Sequence, residues 1–244
     1  MPRTARLDAP GVLHHVICRG IERREVFLDD ADRADFLRRL SALATDGAIT
    51  LYAWALMPNH VHLLCRTRKT PLSRSMHRLL TGYVVNFNRR HTRHGHLFQN
   101  RFKSIVCQED GYLKELVRYI HLNPLRSGLV DDMEGLERYP YCGHGALTGR
   151  QTVAWQDTDR VLSLFDRRSA RARSAYRSHV AAGIHAGRRP ELVGGGLVRS
   201  LGGWSEVRAA RRRSEAGAGD PRILGDGDFV AGVVQSAHQR LQQN

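Results

Sequence analysis

The stretch Ile49-Thr50-Leu51-Tyr52-Ala53-Trp54-Ala55-Leu56-Met57-Pro58-Asn59-His60-Val61-His62-Leu63-Leu64-Cys65-Arg66 reads as two strands around a turn. Ile49 to Met57 is the first, Pro58-Asn59 punctuates it, and His60 to Arg66 resumes as the second. Successive side chains of a strand alternate faces, so His60 and His62 point the same way while Val61 packs behind them. Opening a strand beside a turn, the two imidazoles reach solvent and can grip one divalent cation. A His-X-His pair alone is weak evidence. With 13 histidines in 244 residues, chance gives roughly 0.7 such pairs, so a second element must supply the rest of the chemistry.

The flanking sequence alternates strand-like and helix-like patterns, the mark of an α+β sheet domain. Gly11 to Cys18 is a strand candidate ended by Arg19-Gly20. From Asp29 or Asp30, a fitting N-cap, Phe36, Leu37, Leu40, Leu43 and Ala44 recur at helical spacing. After the strand pair, Leu72, Met76, Leu79, Leu80, Tyr83 and Phe87 mark one side of a second helix. Its other side carries Arg74, Arg78, Arg89 and Arg90. The basic end runs into Arg93-His94-Gly95-His96-Leu97-Phe98-Gln99-Asn100-Arg101-Phe102-Lys103, where cations mix with aromatics. Such a stretch suits backbone neutralisation and base stacking. His91, His94 and His96 form a second candidate metal cluster, for which phosphate contact is the favoured reading.

A third helix starts after Asp110, with Leu113, Leu116, Val117 and Ile120 as its core stripe. At ~100° per residue, Tyr112, Tyr119 and Asn123 fall within about 40° of one another at the edge of that stripe. They line a cleft beside the core. Pro124 makes Asn123 a helix end, because the residue before proline avoids the α region.

These pieces suggest chemistry on a phosphodiester. Cleavage by a protein nucleophile needs a hydroxyl that attacks, a stabilised leaving oxygen and a counter-charge on the phosphoryl oxygens, and a divalent cation serves the last two needs. Tyrosine suits the attack, since a phosphotyrosine bond retains the energy for rejoining. Two imidazoles and an amide oxygen can hold Mg²⁺ or Mn²⁺ when water and phosphate complete the shell. His60, His62 and Asn123 have those donor types. From the residues alone Tyr119 is also a reasonable packing residue at a helix edge, and Tyr112 and Tyr83 compete with it for the nucleophilic role.

The formal net charge of +14 points to a polyanionic partner, nucleic acid first. Both parts of the chain share it: residues 1–150 carry 23 basic and 15 acidic side chains, and residues 151–244 carry 15 and 9. The cysteines, Cys18, Cys65, Cys107 and Cys142, form no Cys-X-X-Cys pair and read as reduced core residues. No run approaches the ~20 apolar residues of a membrane span, and the N-terminus lacks a signal-peptide core. A cytoplasmic protein with no membrane partner is expected.

The ordered set MPNHVHLL, NFNRRHTRHGHLFQNRFKS and YLKELVRYIHLNPLRSGLV closely resembles the REP-associated tyrosine transposases, relatives of the single-tyrosine HUH transposases of small insertion sequences. The resemblance covers about residues 8–145. It implies a ferredoxin-like antiparallel sheet with helices, bearing the His-hydrophobe-His motif on a strand and a nucleophilic tyrosine on a nearby helix. By position, His60 and His62 match the metal ligands, Tyr119 the nucleophile and Asn123 the polar ligand beyond it, where relatives often carry Gln. Arg101, Lys103 and Arg126 fall in the family-like segments and, with Arg89 and Arg90, are the expected DNA contacts. The implied partner is single-stranded or hairpin DNA, bound by a monomer or homodimer without a nucleotide cofactor.

Residues 150–244 are expected to form a basic, mainly helical extension, with helices over Thr158 to Ile184, Trp204 to Arg213 and Phe229 to Leu241 and a break at Gly217 to Pro221. The segment from Arg222 to Val230 resembles the start of a DNA-binding appendage, cut short here. Two rivals remain: a non-catalytic DNA- or RNA-binding regulator on the same scaffold, and a replication-initiator or relaxase-like nickase.

Overall fold

A computed structural model of the chain describes residue 7, residues 11–186, residue 192 and residues 219–242. Alternation of apolar side chains builds its sheet. Strands β1 (Leu13–Arg19), β2 (Ile49–Met57), β3 (His60–Thr67) and β4 (Lys103–Cys107) run antiparallel in the order β2-β3-β1-β4. Pro58-Asn59 makes the tight turn between β2 and β3, as the sequence predicts.

One face of the sheet buries Val16, Cys18, Trp54, Leu56, Val61, Leu63 and Cys65. Two helices cover it, α1 (Asp30–Thr45) and α2 (Leu72–Arg90). The Asp29 carboxylate accepts the Asp32 N–H and so starts α1. Phe36, Leu40 and Leu43 then point inward, as do Met76, Leu79, Tyr83 and Phe87 of α2. Each such fully buried large side chain contributes roughly 1.5–3 kcal/mol.

The other face buries Leu13, Ala53, Ala55, Met57, Leu64, Ile105 and Cys107 under α3 (Glu109–His121). A bulge at Leu51/Ala53 inserts Tyr52 into β2. Beyond it Ala53, Ala55 and Met57 share the face of Leu64, His62 and His60. The short alanine side chains leave α3 room to lie over β2 and β3. Glu109, at the start of α3, pairs with Arg66 of β3 and Arg160, which anchors that end.

Helices α4 (Asn123–Arg126), α5 (Met133–Arg138), α6 (His144–Thr148), α7 (Thr158–Leu162) and α8 (Ser169–Ala182) wrap the α3 side. The single helix expected over Thr158 to Ile184 is broken in two. The Asp157 side chain caps α7 at the Arg160 N–H, and Asp166 accepts the Arg168 N–H in a turn before α8. Tyr176 of α8 lies wholly buried, its hydroxyl 2.7 Å from His121 Nδ1 and 2.6 Å from His144 Nδ1. One hydroxyl can donate to one ring and accept from the other, so the two imidazoles take different tautomers.

A fully antiparallel sheet is expected, but a fifth strand joins it in parallel. β5 (Ile223–Leu224) pairs with β4 at Val106 and Cys107. The reason is local: β4 presents an open edge, and the Val106 and Gln108 N–H groups find the carbonyls of Arg222 and Leu224, both at 2.9 Å. α9 (Gly227–Gln242) then lays Val230, Val233 and Ala237 against Val106 and Ile223. The segment likened to a DNA-binding appendage thus begins by completing the sheet. The helix expected over Trp204 to Arg213 lies outside the described residues, as do the first residues of the Gly217 to Pro221 break. All four cysteines are buried and free. Among the described residues no helix is long and apolar enough to cross a membrane.

Candidate active site

Strand register decides which side chains meet. His60 stands opposite Met57 on one side and Arg19 on the other, and His62 opposite Ala55 and Ile17. Ile17 in turn stands opposite Lys103. Cross-strand neighbours share a face, so His60, His62, Arg19 and Lys103 all lie on the α3 side of the sheet. His15, two residues from Ile17, shares it too.

The rings form one cluster. His60 and His62 have centroids 5.0 Å apart at 80°. His62 stacks on His15 at 5.2 Å, and Tyr119 meets both edge-on, at 5.8 Å from His62 and 6.0 Å from His15. His62 Nδ1 lies 2.9 Å from His15 Nε2, whose Nδ1 lies 3.1 Å from the Leu192 carbonyl oxygen. His60 Nδ1 lies 2.6 Å from Asn59 Oδ1. Burial drives the electrostatics. It pulls His15 and His60 down to about 4 and His62 well below its ordinary value, helped by the Arg19 charge at His60 and His62 and the Lys103 charge at His15. At neutral pH all three imidazoles are therefore uncharged, the state in which imidazole ligates a metal. The hydrogen bonds of His60 to Asn59 and of His62 to His15 engage Nδ1 in each ring. The donor set fits a divalent cation held at the other nitrogen.

Asn123 sits differently from the expectation. α3 ends at His121, and Asn123 opens α4 with Pro124 in its first turn, where proline's fixed φ suits a helix start. The Asn123 amide nitrogen donates to the Tyr119 carbonyl at 2.9 Å and the Ile120 carbonyl at 3.2 Å. Its hydrogen bonds thus run to the tyrosine helix and not to either imidazole. Of the competing tyrosines, Tyr83 is a core residue on the opposite face, its hydroxyl bound to the Val26 carbonyl. Tyr112 is half-buried on α3, packed against the same core as Tyr119.

The expected DNA contacts separate into two kinds. Lys103 is exposed at the start of β4, and Arg101 is exposed beside a groove of about 510 Å³ between α2 and the loop, with Phe98, Phe102 and His96. Arg89 is exposed at the end of α2, 3.1 Å from Asn86 Oδ1. Arg126 is half-buried, donating to the Gly183 carbonyl at 3.0 Å with its guanidinium 5.8 Å from the Tyr119 ring centre. Arg90 is exposed too, but carboxylates hold it: it pairs with Asp29 at 2.9 Å and with the buried Asp32. His91 also turns to Asp32, at 2.9 Å, while His94 and His96 stay exposed. The three loop histidines therefore do not converge. Asp29, Asp32 and His91 do bring their donor atoms together, but Arg90 already balances those carboxylates.

His15 and Arg19 escaped the sequence reading. Their signal was parity: once β1 is a strand, Leu13, Ile17 and both of these residues share one face. What sequence could not give is the register that sets this face beside His60 and His62.

The sequence model of the IS200-like transposases matches residues 10–123. No curated protein matches the chain in sequence. Among solved structures, a REP-associated tyrosine transposase bound to a REP hairpin is similar at 16% identity and a TM-score of 0.50, over 64% of this chain and 90% of that one. Residues 10–123 are thus similar in sequence to the IS200-like transposases, and the α+β fold is similar to that of a REP-associated tyrosine transposase.

Proposed function

We propose that this protein binds single-stranded DNA folded into hairpins, then cleaves and rejoins it through a transient 5′-phosphotyrosine on Tyr119. The observation that carries the reading is the edge-on approach of Tyr119 to His62 on the face that also bears His60, Arg19 and Lys103. The hairpin partner of the similar structure supports the choice of substrate.

In the forward step the Tyr119 oxygen loses its proton and bonds to phosphorus. The bond from phosphorus to the 3′-oxygen breaks, and that oxygen leaves as a 3′-hydroxyl after taking up a proton. Rejoining reverses the exchange: a 3′-hydroxyl attacks the phosphotyrosine and the tyrosine is released. No external energy source is consumed. His60, His62 and the Asn123 amide oxygen are the residues that would hold Mg²⁺ or Mn²⁺. Such a cation supplies positive charge to the phosphoryl oxygens as negative charge builds on them. The neutral imidazoles of His60 and His62 keep their lone pairs for it. Arg19 and Lys103, on β1 and β4 to one side of His60 and His62, hold the phosphate diester by charge, and Arg101 and Arg89 extend that contact along the strand. A tyrosine on a packed helix above a rigid sheet holds its oxygen in place without reorganisation, which is where positioning contributes most.

Incubating purified protein with hairpin DNA bearing single-stranded flanks tests the reading. Cleavage with a denaturation-resistant protein–DNA adduct, abolished by EDTA and restored by Mg²⁺ or Mn²⁺, is the expected result. Tight binding without any adduct would favour a non-catalytic regulator.

A further inference from the structure

The His60 and His62 side chains each end a short chain of hydrogen bonds that starts at a backbone carbonyl. A carbonyl only accepts. The Leu192 carbonyl, 3.1 Å from His15 Nδ1, therefore requires the hydrogen of His15 on Nδ1. Complete burial of His15 disfavours a charged ring, and a neutral ring with its hydrogen on Nδ1 has a bare Nε2. His62 Nδ1, 2.9 Å from that bare nitrogen, must then be the donor. His62 is left with its lone pair on Nε2.

The second chain reaches the same end by another route. Asn59 Nδ2 donates to the Arg23 carbonyl at 3.0 Å, which fixes the amide and turns Oδ1 the other way. His60 Nδ1 lies 2.6 Å from that oxygen, so His60 also carries its hydrogen on Nδ1 and its lone pair on Nε2. The backbone that presents the Arg23 carbonyl is unusual: Glu22 and Arg23 have φ of 53° and 61°, a region that non-glycine residues seldom occupy. That strained turn is held in place by the Gly20 N–H to Asn59 carbonyl bond at 2.8 Å and the Val26 N–H to Pro58 carbonyl bond at 2.8 Å.

We infer that His15 and Asn59 are positioning residues, which lock His62 and His60 into the same tautomer and so present two Nε2 lone pairs to one divalent cation. The inference deepens the proposed function and rests on its assignment of His60 and His62 as ligands. It also gives the sheet's first strand and the segment at Leu192 a part in the site, although Leu192 lies 177 positions from His15. Partners of this kind orient metal-binding imidazoles in general, and losing one lowers affinity about 10- to 100-fold.

The test begins with the metal-free wild-type protein. Long-range proton–nitrogen correlation spectra of the imidazole rings should show hydrogen on Nδ1 of both His60 and His62. Mn²⁺ binding, followed by electron paramagnetic resonance without DNA, should then weaken by roughly 10- to 100-fold in His15→Phe and in Asn59→Leu. His15→Gln, whose amide can accept from His62 and donate to Leu192, should restore most of the loss. Asn59 lies in a turn outside the core, so Asn59→Leu keeps the test open if His15→Phe fails to fold. A wild type with hydrogen on Nε2 of either ring would overturn the inference, and so would wild-type Mn²⁺ affinity in both folded variants. If both rings carry hydrogen on Nδ1 but the wild type binds no Mn²⁺, the tautomer lock stands and the metal assignment falls.

Discussion

Tyr119 and His62 meet edge to face, their ring planes at 87° and their centroids 5.8 Å apart, though one belongs to a helix and the other to a strand beneath it. Only the packing of α3 across β2 and β3 brings a tyrosine to the histidine row. The contact also holds the phenol ring against a rigid partner, with the Arg126 guanidinium 5.8 Å from the Tyr119 ring centre.

Replacing Tyr119 by Phe keeps that ring contact and removes the attacking oxygen. Tyr119→Phe should fold and bind hairpin DNA within about tenfold of wild type, since no more than one hydrogen bond is lost. It should form no covalent adduct. Peptide mapping of the wild-type adduct should place the nucleotide on Tyr119, and recovery of the adduct on Tyr112 would refute the assignment.

His60→Ala and His62→Ala should each abolish Mg²⁺- or Mn²⁺-dependent cleavage while leaving most hairpin affinity intact, because the cations that hold DNA lie on other residues. Chelation of the wild type should mimic both. Gel-shift and cleavage assays on the same samples separate the two effects. A His62→Ala protein that cleaves at the wild-type rate would show that the metal site is elsewhere.

A basic side chain held by carboxylates, such as Arg90, should behave differently in a salt titration from Arg101 and Lys103. Arg101→Ala and Lys103→Ala should each reduce the slope of log binding constant against log salt by roughly 0.7, the value for one phosphate on a single strand. Arg90→Ala should leave that slope unchanged and instead lower the denaturant midpoint, since it strips the buried Asp32 of a partner. Equal slope changes in all three variants would contradict the division.

The buried polar cluster at Tyr176 should make the fold acid-sensitive. Burial lowers His144 to about 4, and His121 well below its ordinary value. The unfolded chain takes up protons near the ordinary histidine value of about 6.5, before the folded one does, so stability falls as pH drops from about 6.5 toward about 4. Urea denaturation across that range should show the loss, and His144→Phe should flatten it. Tyr176→Phe should cost about 1–3 kcal/mol at neutral pH, because both rings lose their hydroxyl partner in a site closed to water.

The turn at Pro58-Asn59, the shared face of His60 and His62, and the helix stripes of α1, α2 and α3 were legible because each depends on local periodicity alone. Arg90 shows where that stops. On a helical wheel it belongs to a basic face with Arg89, and only the docking of α2 against α1 reveals the carboxylates that claim it. His15 failed for the same reason, since its parity was readable but its strand neighbour was not. The Asn123 side chain was placed beside Tyr119 by the wheel, while Pro124 began a new helical turn rather than ending the old one.

The pairing of β5 with β4 has a consequence for how the chain acquires its shape. Gln108, at the end of β4, and Asp226, just beyond β5, are 118 positions apart and joined by two hydrogen bonds. Closing so long a loop costs entropy before its contacts form, and topologies rich in such long-range contacts fold slowly. Until it happens the outer edge of β4 is an unpaired template beside the histidine row, open to a strand from another copy. Protection of that edge thus depends on a segment more than a hundred positions downstream, so a change at Asp226 is felt at β4.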